Sequence, residues 1–260
     1  MPPTAAFTWI FIVCFGMGIL AKIEIHAHRG NRSLHPENTL PAFQSAIETG
    51  ADYLEMDLAV TKDLVLVVSH DPHIQDILIH NLTFEELKQY NCGSVPILQE
   101  VFELVRNSNH PNAKKIKFNI ETKIFSEHPE YTVDAKLFSQ LVIKVFQESG
   151  FLDRIVLQSF IPDTLVESKL LEPSLRISLL IDDPNIDMIQ LGQKIQANII
   201  SPDYKLLNAE LVKQMHQNGF EVIPWTANSE QEWLKLSKMG VDGIITDYPE
   251  RAIHYLKSLE

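Results

Sequence analysis

Five side chains stand out by type and spacing: the imidazoles of His28 and His70 and the carboxylates of Glu55, Asp57 and Glu121. They sit in four short motifs, His28-Arg29-Gly30, Glu55-Met56-Asp57, His70-Asp71 and Glu121-Thr122-Lys123. The three carboxylates offer only oxygen, a donor set that suits a hard divalent cation, Mg2+ or Ca2+, far better than zinc. Three carboxylates and one such ion leave a single negative charge, and Arg29 and Lys123 turn it into a single positive one. A pocket of that charge can accept the one negative charge of a phosphodiester. Arg29 would grip phosphate oxygens with its planar fork, and Lys123 would act as a point charge. The imidazoles would form an acid/base pair: one takes the proton of the attacking hydroxyl, and the other protonates the leaving alkoxide. The cation would stabilise the phosphoryl oxygens during in-line displacement.

Singly, each motif has an ordinary structural use, as a turn, a solvated strand face, a loop cap or an exposed cross-strand pair. Their shared position is what sets them apart, because each falls at or near the C-terminal end of a candidate strand.

The chain that must position them has 260 residues and a net charge of −12, with 45% hydrophobic and 22% charged residues. That composition excludes disordered, collagen-like and disulfide-scaffold classes. The acidic balance argues against a nucleic-acid partner, which needs a basic face. Cys14 and Cys92 support no disulfide framework. From residue 22 on, short β-branched runs alternate with helical stretches. The predicted strands are 23–27, 53–59, 65–69, 116–120, 155–158, 176–180, 198–201, 221–225 and 243–246. Helical periodicity covers 40–48, 84–90, 98–105, 133–147, 163–169, 209–217, 229–238 and 249–256. Thr39, Thr83 and Asp247 read as helix-start neighbourhoods, and Gly219 and Gly240 as helix stops. No linker or repeat divides the chain. The alternation predicts a (β/α)8 TIM barrel, with a doubly wound sheet as the alternative.

One predicted strand is surplus to eight. Only residues 60–64 separate the runs at 53–59 and 65–69, too few for a parallel crossover, so these two should form an antiparallel hairpin. Pairing Val60 with Val65 would set Asp57 opposite Val68 and Glu55 opposite His70, placing two carboxylates and an imidazole on one face. A slip of one residue would break that arrangement.

Residues 1–21 contain no Lys, Arg, Asp or Glu, and 5–21 are nearly all apolar. The stretch lies between a signal-peptide core of about 7–15 residues and a membrane span of about 20. The expectation is export with removal of this segment, leaving residues 22–260 as a single domain with no stable membrane span. A start at Met17 would instead give a cytosolic protein, and a retained segment an anchor.

At the motif residues the sequence resembles the glycerophosphodiester phosphodiesterase family, from Ile25 to about Ile253. The resemblance is carried by HAHRG (26–30), PENTLPAF (36–43), GADYLEMDLAVTKD (50–63), VVSHD (67–71), LTFEELKQYNCG (82–93), FNIETK (118–123), LQSF (157–160), ISPDY (200–204) and DGIITDYP (242–249). It implies a metal-dependent (β/α)8 barrel that cleaves small-molecule glycerophosphodiesters to glycerol 3-phosphate and an alcohol. It further implies His28 and His70 as the catalytic pair, Arg29 as a phosphate contact, Lys123 as a site residue, and Glu55, Asp57 and Glu121 as metal ligands. The attacking group is either the glycerol 2-hydroxyl, through a cyclic phosphate, or water. The short stretch from His70 to Leu82 leaves room for only a minimal insertion, where some relatives carry a larger cap.

Trp225 reads either as a stacking surface for the substrate or as a core aromatic. Gln158-Ser159-Phe160 reads as pocket lining or as a packed strand end, Asp247 as a helix cap, Glu37-Asn38 as a loop brace and His26 as packing. Two rival functions remain at this level. One is a phospholipase-D-like lyase acting on intact lipids, which would favour an exposed apolar rim. The other is a catalytically dead phosphate-ester binding barrel, which would predict loss of a histidine.

Overall fold

The computed structural model describes residues 22–90 and 94–259. The apolar segment 1–21, including Cys14 and Met17, and Cys92 lie outside the described residues. The first half runs β1 (Glu24–Ala27), α1 (Leu40–Thr49), β2 (Tyr53–Val60), β3 (Leu66–Val68), β4 (His73–Ile74), β5 (Ile77–Leu78), α2 (Phe84–Tyr90) and α3 (Leu98–Asn107). Next come β6 (Lys117–Thr122), α4 (Ala135–Ser149), β7 (Ile155–Ser159), α5 (Pro162–Leu171), β8 (Arg176–Ile181) and α6 (Met188–Lys194). The chain ends with β9 (Ile199–Pro202), α7 (Ala209–Gln217), β10 (Glu221–Val222), α8 (Glu230–Met239), β11 (Gly243–Thr246) and α9 (Pro249–Lys257).

Eight strands pair in parallel in the order β10-β9-β8-β7-β6-β2-β1-β11. Past β10, the Ala227 N–H donates to Ile245 O (3.1 Å), and the N–H groups of Ile245 and Asp242 donate to Pro224 O and Val222 O (3.0 Å each). These bonds bring the sheet's two ends together, and the ring is a nearly closed (β/α)8 barrel. Parallel strands are stable only with both faces covered. The larger apolar cluster, with Leu54, Met56, Phe118, Ile120 and Leu157, packs the strands against the helices. A smaller one, Tyr53, Val156, Ile199, Ile223 and Ile245, fills the inside. The side-chain period of two then sends Glu55 and Asp57 to the same inner face as Tyr53, and Asn119 and Glu121 beside them.

Helix ends follow local chemistry. Thr39 caps α1 through the Ala42 N–H (3.4 Å), and Thr83 and Glu86 bond each other's backbone N–H at the start of α2. Gly50 and Gly240 close α1 and α8 in the left-handed region, where a side chain would be strained. Two expectations need correction. Helix α6 lies in a stretch without a predicted helix. It has only seven residues, and Gly192 weakens its helical pattern; a Cβ there would come within 2.6 Å of the Ile200 side chain, so α6 sits close on β9 because Gly192 has none.

The hairpin register is also one residue away from the expected one: Val60 pairs with Leu66, Ala59 with Val67 and Leu58 with Val68. The turn absorbs the extra residue. Leu64 takes the left-handed region (φ 63), and Val65 closes back on Thr61 through two backbone-linked bonds (3.0 and 3.1 Å). The Ser69 N–H still donates to Asp57 O (3.0 Å), and in this shifted register His70 does not oppose Glu55 across a ladder. It reaches the same face from the segment beyond the strand. The insertion that follows is minimal as expected, with β4 and β5 of two residues each.

Candidate active site

The loop after β1 turns on two consecutive left-handed residues, Arg29 (φ 53) and Gly30 (φ 79). A Cβ on Gly30 would lie 2.7 Å from the Ala42 backbone carbon, so position 30 admits no side chain. The turn aims the Arg29 N–H at Glu55 Oε2 (2.8 Å). The Arg29 guanidinium donates through Nη1 to Glu37 Oε1 (2.7 Å), and its Nε lies 3.2 Å from Asp57 Oδ2. Asn38, also left-handed (φ 56), donates from Nδ2 to the same Asp57 oxygen (2.9 Å). Glu37 and Asn38 are thus the braces expected of them.

Glu55, Asp57 and Glu121 are each at most 6% exposed, and one oxygen from each falls within 4.8 Å of the others. Lys123 Nζ bridges Asp57 Oδ1 (3.1 Å) and Glu121 Oε1 (2.7 Å). Burial, with repulsion from Asp57 and Glu121, pushes the Glu55 carboxyl well above its ordinary range. Burial likewise pushes Glu121 up to about 8, against the pull of Lys123. Asp57 goes the other way: Lys123 and Arg29 outweigh its burial and hold it well below the usual carboxylate range. The cluster has two resident cations for three carboxylates, and a divalent ion is what its oxygen-only donors would need. These residues can hold a metal ion.

A cavity of about 230 Å3 opens above the cluster, lined by His28, Arg29, Glu55, His70, Glu121, Lys123 and Trp225, with Gln158, Phe160 and Leu180. The structure therefore gathers seven of the eight expected site residues in one wall, and Asp57 lies beneath Arg29 and Lys123. His28 Nδ1 is 2.6 Å from Asp247 Oδ1, and His70 Nδ1 is 2.8 Å from Asp71 Oδ1. Burial lowers both imidazoles below the ordinary value, with Asp247 pulling His28 partly back up. The Trp225 ring meets Phe160 edge-on at 5.4 Å, and its indole N–H donates to Ser201 O (2.8 Å).

Two supporting roles, one of a buried and one of a half-buried side chain, went unrecognised in the sequence. Gln158 donates from Nε2 to Glu55 Oε1 (2.7 Å) and accepts from Asn119 Nδ2 (2.9 Å). Asp247 is no helix cap: the residue at the start of α9 is Tyr248, and the Asp247 carboxylate turns to His28 and Asn228. The signal lay in barrel closure. The last strand must neighbour the first, and the register Ala27 with Thr246 makes His28 and Asp247 lateral neighbours. His26 is packing, as expected: it is buried and stacked on Tyr53 with centroids 3.9 Å apart.

A sequence profile for the glycerophosphoryl diester phosphodiesterase family matches residues 28–251. A glycerophosphodiester phosphodiesterase of Caldanaerobacter subterraneus subsp. tengcongensis is 32% identical over 251 residues, covering 91% of this chain and 98% of that protein. One of Bacillus altitudinis is 32% identical over 247 residues, covering 88% and 96%. The crystal structure of a glycerophosphodiester phosphodiesterase from Parabacteroides distasonis superposes with a TM-score of 0.79 at 26% identity, covering 91% and 98%. With the motifs, the barrel and these relatives in agreement, the chain belongs to the glycerophosphoryl diester phosphodiesterase family and is an enzyme of that family, a phosphoric diester hydrolase.

Proposed function

We propose that this chain hydrolyses glycerophosphodiesters, such as glycerophosphocholine and glycerophosphoethanolamine, to glycerol 3-phosphate and the free alcohol. The observation that carries this reading is the single cavity walled by both imidazoles, Arg29, Lys123 and the carboxylates of Glu55 and Glu121. Glu55, Asp57 and Glu121 hold a divalent cation, Mg2+ or Ca2+, which when bound offsets charge on the phosphoryl oxygens. Arg29 and Lys123 add fixed positive charge at the same oxygens, in a buried setting where it acts strongly. Of His28 and His70, one accepts the proton of the attacking hydroxyl and the other delivers one to the leaving oxygen. A bound phosphate anion beside either ring favours its protonated form and so supplies the acid. Trp225 packs against the carbon skeleton of the substrate.

In this reading residues 22–260 are the catalytic unit and 1–21 an export signal that is removed. Among the described residues no helix is long and apolar enough to cross a membrane. N-terminal sequencing of the native product should find a chain that starts near residue 22, whereas a terminus before Phe7 means a retained anchor.

Phosphorus NMR tests the reaction. Glycerophosphocholine should yield glycerol 3-phosphate, and His28→Ala or His70→Ala should slow it about 10²- to 10⁴-fold. A cyclic phosphate from sphingomyelin, with no reaction on glycerophosphocholine, would establish the lyase instead. No turnover of either substrate by the wild type with Mg2+ or Ca2+ would leave a binding barrel.

A further inference from the structure

His28 and Asp247 stand side by side on β1 and β11, each one residue past the ladder pair Ala27–Thr246. A carboxylate only accepts, so the 2.6 Å contact puts a hydrogen on His28 Nδ1 and leaves Nε2 as the ring nitrogen without one. The carboxylate is itself oriented by Asn228. That amide accepts from the Asp247 N–H (2.9 Å) and the Thr246 hydroxyl (3.2 Å) through Oδ1, which fixes its Nδ2 as a donor to Asp247 Oδ2 (2.7 Å). Arg32 Nη1, 3.6 Å from Asp247 Oδ1, adds a positive charge on the same side. His70 has no equivalent. Its partner Asp71 is the next residue in the chain and has a side chain 77% exposed, where water competes for the bond.

We propose that Asp247 is the positioning residue of His28: together with Asn228 it locks the ring so that the catalytic proton enters and leaves only through Nε2, at the cavity. This rests on the diesterase reading above, in which His28 is one of the acid/base pair.

The geometry dictates an unusual pair of variants. In Asp247→Asn the new amide must turn its oxygen to the fixed Asn228 donor, which presents its NH2 to His28. Nδ1 then has to accept, and the hydrogen moves to Nε2. In the double variant Asn228→Asp with Asp247→Asn, the carboxylate at 228 accepts from the amide NH2. The amide oxygen turns back to His28, and the Nδ1–H form returns without the original charge beside the ring.

The test combines long-range 1H–15N NMR of ring-labelled protein near pH 8 with turnover of glycerophosphocholine. Expected is the Nδ1–H form of His28 in the wild type and the Nε2–H form in Asp247→Asn. The single variant should lose about 10²- to 10⁴-fold in kcat, with KM within about threefold. The double variant should recover the Nδ1–H form and at least about tenfold of the lost kcat. The same tautomer in wild type and Asp247→Asn overturns the proposal, as does a double variant no better than the single one. The tautomer is read without turnover, so an inactive wild type would defeat the diesterase reading alone.

Discussion

Gln158 on β7 holds Glu55 on β2 from across the intervening strand β6, its Nε2 donating to Oε1 at 2.7 Å. The Arg29 N–H takes the other oxygen at 2.8 Å. With both oxygens held, the carboxylate cannot swing, and its remaining lone pairs stay directed at the cluster. Removing this support while keeping the volume, as in Gln158→Leu, should weaken binding of Mg2+ or Ca2+ about 10- to 100-fold. Calorimetric titration with the cation reads this directly, and an unchanged affinity removes Gln158 from the site.

Metal binding must displace protons. Glu121 is pushed up to about 8, and Glu55 is also raised, so the free cluster holds protons near neutrality that a cation has to expel. Affinity should therefore fall as the pH drops below about 8, with proton release measurable by calorimetry in buffers of different ionisation enthalpy. Glu121→Gln should weaken the metal more than it lowers the unfolding midpoint. EDTA should abolish turnover and added cation should restore it; full activity without metal would falsify the carboxylate assignment.

His26 predicts acid sensitivity of the fold. Burial, together with Lys117 and Arg176, lowers its folded pKa from 6.5 to about 3, and neither ring nitrogen has a partner among the described residues. Between those values the unfolded chain binds the extra proton. The stability linked to this ring is thus full above pH 6.5 and lost as the pH falls toward 3, by up to about 5 kcal/mol. His26→Leu should flatten that part of the curve of denaturation midpoint against pH, and equal slopes would reject the assignment.

Gly30→Ala should be among the most damaging single-atom additions. The left-handed backbone and a contact of 2.7 Å with Ala42 both oppose a Cβ. A loss of more than about 2 kcal/mol is expected in urea unfolding, and a variant as stable as the wild type would show that the loop relaxes freely.

The architecture and the inner-face residues were legible because alternation survives in the sequence: Glu55 and Asp57 share a parity, as do Asn119 and Glu121. What stayed hidden depends on contacts between distant segments. The Leu64 turn conformation shifted a register that local pattern cannot count. Helix α6 is held by proximity to Ile200 more than by its own periodicity. Asp247 carried a plausible local role, and only the meeting of the first and last strands reveals its partner.

The hairpin has a consequence for how such a site can change. His28 is built into the barrel wall, whereas His70 rides on an arm that leaves the ring at Val60, pairs with β2 for three residues and bridges Ile97 from Val67 on its other edge. A change in the pairing of that arm with β2 would therefore shift one imidazole relative to a stationary partner. The spacing between the two imidazoles is an adjustable gauge, tuned from outside the cylinder without recutting it.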